Sequence, residues 1–169
     1  MKERFGPGDW ERLKRLPPLV FVCVALADGR LQAEEAEKFA AEIGDASRYR
    51  DPLLKALLSD LGHPTEFRKS FDATTAIASA GPDAIDREIA GTKALLKAKL
   101  SDEEYHRLLF SLIGIGKQVA DSAGEEKRGA AGLKKPVPGM SLQEGEALEV
   151  LAAKFGADLA AGQAAAEKL

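Results

Sequence analysis

Residues 16–27 read LPPLVFVCVALA, and whether this run is a strand or a helix decides the fold. Val20, Val22 and Val24 are β-branched and would suit a strand. A strand needs a partner, however, and no second strand-like run is visible in the chain. The run therefore reads as a helix that is apolar nearly all round, the signature of a central, buried element. Pro18 suits its first turn, and Gly29 supplies the residue that ends it. At this length it cannot cross a bilayer, which takes ~20 apolar residues.

Working outward, turn and cap signals divide the remainder into further helices. Upstream, Asp9 is the expected N-cap of a short helix, WERLKRL, which the Pro17-Pro18 pair breaks. Downstream, 32–43 places Ala36, Phe39, Ala40 and Ile43 on one face, and Gly44 closes it. Asp51-Pro52 is an N-cap followed by a first-turn proline, and LLKALLSDL after it carries an i, i+3, i+4 stripe up to Gly62. Pro64 opens a fifth helix with Phe67, Phe71 and Ile77 at helical spacing. Gly81-Pro82 separates it from DAIDREIAGTKALLKAKL. Ser101 with Glu104 is a capping box for EEYHRLLFSLIGIGKQVADSA, and Ser141 with Glu144 is another, for EGEALEVLAAKF. Residues 124–139, GEEKRGAAGLKKPVPG, read as a long loop, and GADLAAGQAAAEKL as a weak helix or frayed tail.

The chain has 169 residues, 45% of them apolar and 30% charged, with a net charge of −3. That describes one globular domain able to bury its own core, with a first half of about 1–80, a second of about 81–156 and a tail at 157–169. The charge and the lack of a basic run argue against nucleic acid. Cys23 is the only cysteine, so no internal disulfide forms, and it reads as a small core hydrophobe rather than a reactive thiol. MKERFGPGDW lacks the shape of a signal peptide, so the cytoplasm is the expected compartment.

Two regions echo each other. LVFVCVALADG followed by LQAEEAEKF matches LFSLIGIGKQVADSAG followed by MSLQEGEALEV: a buried-type helix, Ala-Asp, a turn, then an acid-opened helix. Asp28 pairs with Asp121, roughly half the chain away, Leu31 with Met140 and Glu35 with Glu144, as a two-fold internal repeat would give. Matching Gly44 to Gly156 instead pairs Glu34 with Glu146. Ser122 stands where the first copy has Gly29.

Ala-Asp-Gly-x-hydrophobic-x-x-x-Glu after an apolar helix resembles the TerB-like domains of tellurite-resistance proteins and their relatives. The resemblance implies an all-α fold with an internal pseudo-two-fold repeat and one acid pair per half, Asp28 with Glu35 and Asp121 with Glu144. It also implies divalent-cation binding, a role in stress response, protein partners and peripheral association with membrane complexes.

The acid pairs have a bland reading too. Glu35 and Glu144 stand where helix N-termini favour carboxylates, and the capping box alone accounts for Glu144. The aspartates are expected at helix C-termini, where the dipole disfavours an anion by ~0.3–1 kcal/mol. A hard cation such as Ca²⁺ or Mg²⁺, held by carboxylate and carbonyl oxygens, would reverse that sign. Against it, an aspartate before glycine is a common turn pairing. His63 and His106, the only histidines, are not at ligand spacing with Cys23. GIGK at 114–117 lacks P-loop spacing, so Gly114 and Gly116 read as close-packing positions. Glu103-Glu104 and Glu125-Glu126 read as solvated faces.

The expectation is an all-α single domain of seven to eight helices, the second and seventh central. Functionally it is a non-enzymatic, cation-binding module that docks onto protein partners. The alternatives are a structural or oligomerisation domain whose acids serve only as caps, and an enzyme using a carboxylate-bound metal.

Overall fold

In a computed structural model, backbone is described for residues 1–27, 36, 39–41, 43–129 and 142–169, with the side chains at 119 and 121–129 left out. The described residues hold eight bounded α-helices and no strand: α1 Pro7–Lys14, α2 Leu16–Ala27, α3 Pro52–Leu61, α4 Pro64–Ser79, α5 Pro82–Lys99, α6 Asp102–Gly129, α7 Leu142–Phe155 and α8 Leu159–Ala166. Short 3₁₀ turns occupy Lys2–Arg4 and Ala46–Arg48, and residues 36, 39–41 and 43 are helical.

The run 16–27 is a helix, and Leu16 through Val22, with Val24 and Ala25, are buried. α2 packs against α4, α6 and α7, so the expected central pair is α2 with α6. Helix formation here has a cost. Pro17 and Pro18 bring no N–H, so the Lys14 carbonyl, which would accept from residue 18, loses its helical partner. Ser70 of α4 replaces it, donating its hydroxyl to the Lys14 carbonyl at 2.8 Å. This explains why a serine is buried on α4.

Aromatic packing joins α2 to α4. Phe21 stacks on Phe39 with ring centres 4.6 Å apart, and Phe67 and Phe71 of α4 flank the pair. Gly116 of α6 allows a close approach: a methyl group there would stand 2.5 Å from Leu148 of α7 and 2.8 Å from Val20 of α2. Gly114 faces open space, so only one of the two expected packing glycines has that role.

Several helix starts match their local signals. Asp51 accepts from the backbone N–H groups of Leu53 and Leu54 at 3.0 and 2.8 Å. Ser101 and Glu104 form the reciprocal capping box. Asp9 is not a cap. Gly6 is the N-cap and Pro7 takes the first turn, because the proline is preset for helical φ and starts the helix earlier. Asp9 then lies inside the first turn.

Two segments are more helical than expected. The C-terminal stretch is a docked helix, α8, whose N-terminus is capped by Asp158 accepting from Ala161 N–H. Gly162 lies so near α6 that a Cβ would sit 2.3 Å from the His106 carbonyl oxygen. His106, expected at the surface or core edge, accepts the Asp158 N–H on Nδ1 at 3.0 Å. Tyr105 donates its hydroxyl to the Phe155 carbonyl. At the other segment, α6 runs on to Gly129, through the first part of the expected loop, because Glu125, Glu126, Lys127 and Arg128 are good helix formers. Residues 130–141 lie outside the description.

Charged residues also find partners far along the chain. Glu104, expected on a solvated face, pairs with Arg4 at 2.6 Å. Lys14 is buried at 3% exposure, its ammonium between Glu11 and Glu66.

Candidate functional site

The acid pairs can be located only in part. Asp28 and Glu35 lie outside the described residues, as does the Asp121 side chain. The backbone of position 121 is inside α6, which continues to Gly129. Asp121 therefore does not stand at a helix C-terminus, and the dipole argument made for it no longer applies. Glu144 lies in the first turn of α7 and is buried at 5% exposure. Ser141 is outside the description, so its capping box is not seen. Among the described residues, no group of three or more His, Cys, Asp or Glu side chains gathers to hold a metal. His63 is exposed at the start of α4, with no side-chain cap bond.

The described surface offers a different feature, a groove of about 190 Å³ between α2, α5 and α7. Each wall follows from a helical repeat. α2 contributes Cys23 and Leu26, α5 contributes Ile85 and Ile89, and α7 contributes Val150 and Leu151. Leu26 and Val150 form its lips, at 44% and 54% exposed. A second recess of about 270 Å³ continues from it, sharing Asp86, Ile89 and Lys154 and adding Ala90 and Lys93. An apolar compartment thus opens directly into a charged one.

The charges there are unevenly matched. Lys154 pairs with Asp86. Lys93 donates to the Lys154 carbonyl at 3.1 Å, near the C-terminus of α7, where a cation is favoured. Gly156, at φ +67°, leaves room for the ammonium, since a Cβ would stand 3.1 Å from Nζ. Burial pushes the Cys23 thiol up to about 11, with Lys154 pulling the other way. The thiol stays protonated at neutral pH, so Cys23 contributes apolar surface rather than a thiolate.

Reading the sequence alone did not find this groove. The signal was present in 16–27: a helix apolar on every side exposes apolar surface wherever its neighbours leave a gap. Which side is left open depends on how α5 and α7 pack. None of the described helices is long and apolar enough to cross a membrane. Compared with protein-family models, curated proteins and solved structures, the chain matches none.

Proposed function

We propose that the protein is a non-enzymatic interaction module, and that the groove between α2, α5 and α7 receives apolar side chains from a helical segment of a protein partner. The observation that carries this is the groove itself, apolar inside, with Leu26 and Val150 standing exposed at its lips. At about 190 Å³ it is smaller than the ~300–1,000 Å³ cavities that enclose small molecules. Its helical walls suit the helix-in-groove mode, in which an amphipathic helix lays apolar anchors at i, i+3, i+4 and i+7 into the groove. Panning a displayed library of helical peptides against the full chain tests the reading. Peptides should be enriched whose binding is lost in Val150→Glu, a change at an exposed position that leaves thermal stability intact. Failure to enrich any Val150-dependent peptide would refute it.

Cation binding in the TerB-like manner is our second proposal. With it go the pseudo-two-fold repeat and the role in tellurite-type stress response. It rests on the sequence likeness of Ala27-Asp28-Gly29-Arg30-Leu31 and Glu35 to that family. Calorimetry with Ca²⁺ and Mg²⁺ is the direct test: heat that disappears in Asp28→Asn supports it, and no heat with the native chain removes it.

A further inference from the structure

The groove's two compartments carry information about the occupant beyond its being apolar. The first is lined mainly by aliphatic side chains and the Cys23 thiol, with Asp86 and Lys154 at the boundary it shares with the second. The second holds two ammonium groups, Lys93 and Lys154, and one carboxylate, Asp86. Asp86 is committed to Lys154, which leaves the recess with one excess positive charge. That charge is on Lys93, whose described partner is a single carbonyl oxygen. An ammonium has three donors, so Lys93 can take a further acceptor, and a carboxylate satisfies both its charge and its free hydrogens. An anion is therefore welcome at Lys93.

From this charge complementarity, and resting on the interaction-module reading, we infer that the occupant is an acidic amphipathic helix of a protein partner. It places aliphatic side chains between Leu26 and Val150, and an Asp or Glu one turn along against Lys93. The two compartments adjoin, sharing three residues, and residues three and four apart on a helix project from one face, so one helix can serve both. A strand is the poorer occupant, since the described residues offer no sheet edge for it to extend.

The same panning experiment on the full chain separates this inference from the reading beneath it. Enriched peptides should carry Leu, Ile or Val with Asp or Glu three or four residues away. Fluorescence polarisation of labelled enriched peptides should show binding abolished by Val150→Glu. Lys93→Glu should weaken it about 5- to 20-fold, as attraction becomes repulsion at a partly exposed site, with Lys93→Gln in between. Added salt should weaken the native complex and not the Lys93→Gln complex. If Val150-dependent peptides lack the acid, or Lys93→Glu binds them as tightly as the native chain, the acidic occupant is overturned and the module reading stands. If no Val150-dependent peptide emerges, both fall. Retention on phosphatidylglycerol vesicles that is lost in Lys93→Glu, with no peptide enriched, would overturn the inference in favour of an anionic lipid surface.

Discussion

Asp51 carries two duties in a site closed to water, which makes its partner Arg107 a sharp point of attack. One carboxylate oxygen caps α3 through two backbone N–H groups, and the other accepts from Arg107 Nε of α6 at 2.8 Å. The Asp51 side chain is 1% exposed and that of Arg107 is 11% exposed. Arg107→Met keeps much of the stem's volume and removes the guanidinium, leaving a buried carboxylate with one oxygen unanswered. Breaking a buried pair from one side costs about 3–5 kcal/mol. The α3 N-terminus still favours the anion by roughly 0.3–1 kcal/mol, so the low end, about 3 kcal/mol, is expected. For a chain of this size each kcal/mol lowers Tm by about 2–4 °C, which gives a fall of about 6–12 °C. Adding Asp51→Ser removes the stranded charge and retains a capping oxygen. The double variant should therefore recover about 2 kcal/mol relative to the sum of the single changes. Urea unfolding followed by circular dichroism measures all four corners of the cycle. A loss below about 1 kcal/mol for Arg107→Met, or single effects that simply add, would refute the buried-pair argument.

Other consequences are as direct. Gly162→Ala should loosen α8, because the new methyl would stand 2.3 Å from the His106 carbonyl oxygen; overpacking of ~1–3 kcal/mol outweighs the ~1 kcal/mol that alanine gains over glycine in a helix. Hydrogen exchange of the α8 amides should speed up, and unchanged protection would contradict the close approach. Glu104 is held at about 2, below its usual 4.5, chiefly by the Arg4 hydrogen bond and also by its Ser101 cap. A depressed carboxylate contributes stability above its unfolded value and loses it as pH falls from about 4.5 towards 2. In Glu104→Gln that part of the acid slope should vanish, and an NMR titration midpoint of Glu104 near 4.5 would sink the argument. The Cys23 thiol, raised to about 11 by burial, should react with a disulfide reagent at a rate still climbing above pH 9; a plateau before then would show an accessible thiolate.

The legible parts of the fold were those written in local chemistry. Asp51-Pro52, His63-Pro64, Gly81-Pro82 and the Ser101–Glu104 box each act within one turn, so neighbouring residues alone specify them, and the helices begin there. Where two local signals competed, the sequence misled. Gly6-Pro7 started α1 ahead of Asp9, and the helix-forming run after Gly124 carried α6 past Asp121. The acids singled out as a site fared differently from the fold. Of the four, Glu144 alone has a described side chain, and it is buried.

From sequence alone, the all-α class was determined: 16–27 has nothing to pair with as a strand, and cap and proline signals recur at helix length. The burial of α2 followed as well, since a helix apolar on every side has no face for water. Long-range pairing was decided only in three dimensions. Ser70 answers a carbonyl orphaned by Pro18, Glu104 reaches Arg4, and α8 seats a glycine on α6. The same holds for the groove, because a gap is a property of three helices at once. Leu26, Val150 and Lys93 are unremarkable in the chain, and their exposure and company depend on where α2, α5 and α7 stop touching one another.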